Sequence, residues 1–199
     1  MLTPSDRSLD ALIRFETGGR AYYDQHLSRP TWPGLASGVT IGVGYDCGYN
    51  GAAEIRATWR PLGTRAADEL AGTAWLRGHR AGPAAKALAH IVVPWILAKD
   101  VFQRVTLPRW MDATARAFPG VTGLPPDAQG ALLSLVFNRG ASMFGDARTE
   151  MRAIRELVPR GDLQGIADQI RAMKRLWAGR GMDGLLRRRD AEAALVLGR

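Results

Sequence analysis

Residues that interrupt helices are concentrated in one early part of the chain. Residues 19–51 contain two prolines and many glycines, among them Pro30, Pro33, Gly34, Gly38, Gly42, Gly44, Gly48 and Gly51. Such a density of glycine and proline excludes a regular helix in this segment. Within it, residues 38–45 alternate between small or polar and apolar side chains, as a β-strand does. We therefore predict a small antiparallel sheet here, and no second sheet elsewhere.

The rest of the chain has the periodicity of helices. Leu9, Leu12 and Ile13 follow the i, i+3, i+4 pattern of one helix face, and Gly18 and Gly19 end that helix. Later segments with helical periodicity cover residues 52–59, 64–77, 83–91, 95–105, 108–117, 127–138, 147–158, 162–177 and 183–197. The predicted fold class is α+β, with a small antiparallel sheet near the N-terminus followed by a mostly helical bundle.

Length and composition are those of an ordinary globular protein. The 199 residues, of which 46% are hydrophobic, suffice for one domain of two small lobes. We predict a single domain, residues 1–199, with a sheet-bearing lobe over about 1–60 and a helical lobe over about 61–199. Cys47 is the only cysteine, which excludes an internal disulfide and a Cys-rich zinc site. The three histidines have no spacing typical of metal ligands, so no metal site is expected.

The net charge of +8 favours a polyanionic partner such as nucleic acid, anionic lipid or an acidic cell-wall polymer. The basic residues are scattered among acidic ones and no helix-turn-helix or zinc pattern occurs, so we expect no nucleic-acid partner. We interpret the run 187–189, three arginines, as a solvated helix face. The most apolar stretch, residues 91–98, contains Pro94 and is shorter than the roughly 20 residues of a membrane helix. Without a recognisable secretory signal, we expect synthesis in the cytoplasm and no membrane insertion.

Two carboxylates have the placement that cleavage of a glycosidic bond requires. That reaction needs one protonated carboxyl group, whose pKa an apolar setting raises, and one ionised carboxylate in a wetter place. Glu16 continues the apolar stripe of the first helix, at i+7 from Leu9, and suits the acid. Asp24, in what we predict to be a polar loop, suits the ionised role.

Other residues are candidates for binding a saccharide. Gly42 and Gly44 would leave one face of the strand bare, so that a sugar could approach the backbone. Trp32, in the glycine-rich segment, is the best candidate for stacking on a sugar ring. Asn138 and Arg139, at the end of the helix predicted over 127–138, are expected to face a saccharide cleft between the two lobes and to contact substrate.

Three motifs resemble those of phage-type lysozymes and of the related domain of pesticin. Glu16, Asp24 and the sequence TIGVG at 40–44 resemble the catalytic signature of these muramidases. The sequence LLSLVFNRG at 132–140 resembles the family's central-helix motif, and GLLRRRDAE at 184–192 its final Arg-rich helix. The motifs occur in family order and span nearly the whole chain.

The resemblance implies a lysozyme-like fold and a role for each motif residue. It implies Glu16 as the general acid, Asp24 as the opposite carboxylate and Thr40 as a residue that holds the attacking water. The implied substrate is peptidoglycan, cut at the β-1,4 bond between N-acetylmuramic acid and N-acetylglucosamine, with no cofactor. Inversion at the sugar would call for carboxyl groups roughly 6.5–9.5 Å apart. We expect a monomer that reaches the anionic cell wall after release through a pore or export.

The sequence departs from the family pattern at Tyr45, where many members have a histidine. We keep Tyr45 as a substrate-binding candidate. Asp46 competes with Asp24 for the second carboxylate role, although six extended residues from Thr40 would span about 20 Å. A turn after Gly44 would remove that objection. Alternative functions are a non-catalytic peptidoglycan-binding module of the same fold, a lytic transglycosylase and a basic nucleic-acid-binding protein.

Overall fold

The computed structural model describes all 199 residues, which form two compact units. One unit comprises Met1–Leu12 and Arg109–Arg199, and the other comprises Ile13–Pro108. Our predicted lobe boundary near residue 60 differs from this division. The difference has a physical reason: segments after residue 60 bind to the sheet-bearing part, as the antiparallel bridge of Gly38 with Arg77 illustrates.

Helices account for most of the chain, as predicted. They are α1 (Asp6–Thr17), α2 (Arg20–Tyr22), α3 (Ala52–Trp59), α4 (Thr64–Ala71), α5 (Ala81–Ala87), α6 (Trp95–Val101), α7 (Leu107–Ala117), α8 (Pro126–Arg139), α9 (Thr149–Leu157), α10 (Leu163–Ala172) and α11 (Asp183–Val196). The predicted helix over 64–77 is too long, because α4 stops at Gly72 and Trp75 adopts a positive φ of 62°. None of the helices has both the length and the apolar character needed to cross a membrane.

The single sheet is a two-stranded antiparallel hairpin, β1 (Thr40–Ile41) with β2 (Tyr45–Asp46). Thr40 pairs with Asp46, and Ile41 with Tyr45. The predicted sheet near the N-terminus is therefore confirmed, but the predicted continuous strand over 38–45 is wrong. Gly42 and Gly44 have φ of 64° and 71°, a conformation that glycine adopts at little cost and that reverses the chain.

A second correction concerns the segment after α1. We predicted residues 19–51 to be free of helix, yet α2 is followed by a π-helical turn, Tyr23–Leu27. The sequence allows this because residues 20–27 contain neither glycine nor proline. Tyr23 is buried and anchors the turn, since its hydroxyl donates to the Val93 carbonyl at 3.0 Å.

Helix α8 forms the centre of the unit that includes residues 109–199. Nine consecutive residues, 128–136, are buried in it, so the helix is enclosed on all sides. The surrounding core contains apolar residues of α7, α9, α10 and α11, among them Ala117, Ile154, Ile166 and Val196. The C-terminal end of α8, at Asn138 and Arg139, emerges from this core.

Candidate active site

The end of α1 fixes the position of Glu16. The Thr17 hydroxyl donates to the Ile13 carbonyl at 2.7 Å and accepts from the Gly19 amide at 3.2 Å. Gly18 and Gly19 then take φ of 68° and 92°, which end the helix. Glu16 therefore lies in the last helical turn, as predicted, and is half-buried.

Asp24 lies on the π-helical turn rather than in the polar loop that we predicted. It is exposed, and its Oδ2 is 3.4 Å from Nε of Arg20, four residues earlier. Its exposure to solvent suits a carboxylate that acts in the ionised form. Burial, followed by the charge of Asp24, raises the pKa of the Tyr23 hydroxyl.

Thr40 lies on β1, with a second backbone partner on its other side. Its amide donates to the Thr31 carbonyl at 2.8 Å, and its carbonyl accepts from the Thr31 amide at 2.9 Å. The hydroxyl makes a long contact of 3.4 Å with the Gly38 carbonyl. Thr40 is thus fixed by its backbone. It belongs to the same compact unit as Glu16 and Asp24.

Asp46 lies directly across the hairpin from Thr40, so our estimate of about 20 Å along an extended chain is wrong. The turn at Gly42 and Gly44 brings the two residues together. The carboxylate of Asp46 is engaged by the backbone, however. It accepts from the Gly38 amide at 3.0 and 3.1 Å and from the Gly48 amide at 2.8 Å. These bonds give Asp46 a structural task in the hairpin.

The candidate saccharide contacts of this unit differ in exposure. Gly42 is buried, and a Cβ there would come within 2.9 Å of the Trp59 ring. Tyr45 is buried against the same ring. Gly44 and Trp32 are exposed. Contact of these four residues with substrate stays a prediction, and exposure favours Gly44 and Trp32.

Asn138 and Arg139 line a pocket in the other unit, together with Arg148, Trp177 and Arg180. Asn138 is exposed and Arg139 is half-buried. Sequence reasoning missed this arginine cluster. Its members come from separate elements, spaced without periodicity, so only packing brings them together.

The arginine run of α11 is a correction as well. We interpreted residues 187–189 as a solvated face, but Arg188 and Arg189 are buried around a fully buried Glu192. The Glu192 carboxylate accepts from Nε of Arg188 at 3.1 Å and from Nη2 of Arg189 at 2.9 Å. The Ser134 hydroxyl of α8 also donates to it, at 2.6 Å. This network joins α11 to α8.

Comparison with known families gives one match, to the phage lysozyme family, over residues 97–192. The matched segment contains α8, the buried network and α11 as far as Glu192, whereas Glu16, Asp24 and Thr40 lie before it. No curated protein matches the chain. The family indicates a glycosidase-type enzyme of the muramidase or peptidoglycan hydrolase class. Over residues 97–192 the chain is thus similar to the phage lysozyme family, which confirms the resemblance for the motifs at 132–140 and 184–192.

Proposed function

We propose that this protein is a muramidase that hydrolyses the β-1,4 bond between N-acetylmuramic acid and N-acetylglucosamine. The observation that carries the proposal is the phage lysozyme match over residues 97–192, combined with a half-buried Glu16 at the glycine-terminated end of α1. Both features belong to the motif set that resembles the lysozyme family.

In the proposed reaction, Glu16 donates a proton to the bridging oxygen as the bond from that oxygen to the sugar C1 breaks. A water molecule attacks C1, and Asp24 accepts the proton that this water loses. Thr40 is assigned the task of holding the water. At the end of the cycle Glu16 is ionised and Asp24 is protonated, and exchange with solvent restores both. No cofactor takes part in this scheme.

Asp24 is preferred to Asp46 as the second carboxylate because of what each already binds. Asp46 accepts two backbone amides, those of Gly38 and Gly48, and half-way burial limits its access to water. Asp24 is exposed and has only the long contact with Arg20 among its side-chain partners. An exposed pair of this kind costs little to separate.

The charge of the chain supports an anionic substrate. A net charge of +8 attracts an anionic cell wall, and added salt should weaken that attraction, since the screening length falls to about 3 Å at 1 M salt. Salt-sensitive activity on whole peptidoglycan is therefore expected.

The decisive experiment is Glu16→Gln, measured as release of reducing ends from purified peptidoglycan. Loss of a general acid should lower the rate by at least about 100-fold. The matched control is Glu156→Gln, an exposed glutamate on α9, which should keep full activity. Undiminished activity of Glu16→Gln would refute the assignment.

Two further aspartate variants distinguish the second carboxylate. Asp24→Asn should lose activity and keep its unfolding temperature, whereas Asp46→Asn should lower the unfolding temperature and retain activity when folded. Mass analysis of the wild-type products identifies the reaction, because hydrolysis adds water and a transglycosylase leaves an anhydro sugar.

The second candidate function, a non-catalytic peptidoglycan-binding module, has one observation in its favour. The family match begins after all three candidate catalytic residues. Such a module would bind purified peptidoglycan without releasing reducing ends, and Glu16→Gln would leave that binding unchanged.

A further inference from the structure

Leu35 and Trp75 combine two unfavourable features. Their side chains are 94% and 64% exposed, and they are the only residues other than glycine with a positive φ, 51° and 62°. A large apolar side chain in water gains nothing from burial, and the left-handed backbone is strained for both residue types. Strain of this kind is concentrated at functional sites. The two residues therefore indicate a surface that meets a partner.

The backbone around these two residues is packed closely. Gly38 and Arg77 form an antiparallel bridge. The Trp75 amide donates to the Cys47 carbonyl at 3.4 Å. A Cβ added at Gly48 would lie only 2.8 Å from the Cα of Gly38, so these segments pack with no side chain between them. The exposed side chains thus project from a fixed backbone.

Tyr49 and Arg77 complete this surface. The Tyr49 side chain is half exposed, and its hydroxyl donates to the Ala36 carbonyl at 3.3 Å, next to Leu35. The guanidinium carbon of Arg77, an exposed residue, lies 5.0 Å from the centre of the Tyr49 ring. We call Leu35, Tyr49, Trp75 and Arg77 the exposed patch.

The segments that form the exposed patch carry an excess of positive charge. Residues 70–99 contain four arginine and lysine residues, Arg77 among them, and no acidic residue. Over residues 25–53 the only acidic residue is Asp46, whose carboxylate already accepts from two backbone amides. The patch is therefore complementary to a surface that is both anionic and able to accept apolar side chains.

We propose that the exposed patch docks the protein reversibly on a bilayer that contains anionic lipids. Leu35 and Trp75 enter the interface between headgroups and acyl chains, where aliphatic and indole groups are favoured. Arg77 stays at the level of the lipid phosphates and is attracted by the negative surface potential. In this mode no segment of the chain crosses the bilayer.

The patch fits a lipid surface better than a saccharide or a protein. A sugar ring needs a free aromatic face, but Arg77 covers one face of Tyr49, and Leu35 has no ring. A stable protein interface engages about 20–30 residues on each side. Reversible lipid binding depends on buried apolar area and on attraction to anionic headgroups, and a few side chains supply both.

The test is co-sedimentation of the full-length protein with vesicles made of equal amounts of phosphatidylglycerol and phosphatidylcholine. We expect binding at low salt, release at about 1 M salt, and at least about tenfold weaker binding to vesicles of phosphatidylcholine alone. The vesicles contain no peptidoglycan, so the result does not depend on the proposed function. Glu16→Gln should bind them as the wild type does.

Two substitutions test the apolar contacts. Leu35→Asn and Trp75→Asn remove the apolar side chain, and asparagine tolerates a positive φ, so the fold should be kept. Each should weaken vesicle binding about tenfold. The matched control is Phe144→Asn, which removes a side chain that is 90% exposed in the other compact unit and should leave binding unchanged.

A second pair of variants tests the charge. Arg77→Gln should weaken binding to the anionic vesicles about fivefold. Arg160→Gln removes the same charge from an exposed position outside the patch and should weaken binding by less. Thermal unfolding of every variant checks that the fold is retained.

Three results would overturn the proposal. Absence of vesicle binding by the wild type would leave the patch to a protein partner. Equal binding to the two kinds of vesicle would show that anionic lipid is not recognised. Unchanged binding in Leu35→Asn and Trp75→Asn, or an equal loss in Phe144→Asn, would show that the protein meets the bilayer through another surface.

Discussion

The two compact units hold their carboxylates in opposite ways. In the unit of residues 13–108, Glu16 is half-buried and Asp24 is exposed, with one long contact to Arg20. In the unit that includes residues 109–199, Glu192 is completely buried and its oxygens receive bonds from two arginines and Ser134. The first arrangement leaves carboxylates accessible, and the second uses one to join two helices.

This difference explains where the family match lies. The matched segment, residues 97–192, contains the buried network and the buried central helix, and these impose strict requirements on residue type. Asp24, which is exposed, satisfies no comparable packing requirement. The family match therefore depends more on how the helices of this fold pack than on which residues act on substrate. The catalytic roles must be tested separately.

The sharpest test of the comparison is to make one substitution, Glu→Gln, in both units. Glu192→Gln removes the buried carboxylate that Arg188 and Arg189 share, which should lower the free energy of unfolding by about 3–5 kcal/mol. For a chain of this size that corresponds to a fall in Tm of roughly 6–20 °C. Glu16→Gln, at a half-buried position, should lower the free energy of unfolding by less than Glu192→Gln does. Thermal and urea unfolding, followed by circular dichroism, measure both.

A large loss of stability in Glu16→Gln would contradict the comparison, because it would make Glu16 a packing residue. Retained stability in Glu192→Gln would show that the buried arginines find other acceptors. Glu156→Gln again serves as the exposed control.

The second prediction concerns the two glycines of the hairpin turn, which differ in the space around them. Gly42 has φ of 64°, and an added Cβ would lie 2.9 Å from Trp59, so Gly42→Ala combines backbone strain with a clash. We expect a loss of about 2–4 kcal/mol. Gly44 has φ of 71° and open space around it, so Gly44→Ala should cost only about 1–2 kcal/mol. Urea unfolding gives both values, and equal losses would exclude a packing role for Gly42.

Much of this fold could be predicted because helical periodicity is local. The helix over 127–138 has capping signals and an apolar stripe, and α8 spans Pro126–Arg139. The two-stranded form of the hairpin could not be predicted from local sequence. Alternation of glycine with apolar residues is the same for one strand and for two short strands with a glycine turn. Only the positive φ of Gly42 and Gly44, which the sequence does not display, distinguishes them.

The candidate site residues also differ in whether a local sequence signal predicts their position. The position of Glu16 in the last turn of α1 follows from the glycine pair after it, a local signal. The pocket of Arg139, Arg148 and Arg180 has no such signal, because α8, the segment before α9 and the segment before α11 contribute one arginine each. The interpretation of residues 187–189 as a solvated face is wrong for a related reason. A run of charged residues does not indicate which of its side chains face the core.

The third and smallest effect comes from a pair of aspartates that differ in exposure. Asp127 accepts from the Ser5 hydroxyl and pairs with Arg7, and its side chain is 24% exposed, against 52% for Asp24. Asp127→Asn should therefore lower the free energy of unfolding by about 1 kcal/mol, and Asp24→Asn by less than about 0.5 kcal/mol. Urea unfolding at pH 7 measures the difference. A larger loss for Asp24→Asn would give Asp24 a structural role and weaken its assignment to catalysis.

The effect of Asp127 should also depend on pH. The Ser5 hydroxyl, and then Arg7, hold the pKa of the Asp127 carboxyl below its ordinary value of 3.8. A lowered pKa in the folded state stabilises the protein at pH values above that ordinary value, and the contribution is lost as pH falls through the folded-state pKa. The difference in unfolding free energy between wild type and Asp127→Asn should thus be full at pH 7 and shrink below about pH 4. A difference that stayed constant down to pH 3 would show that the amide itself misfits the site, and that the charge of Asp127 does not stabilise this unit.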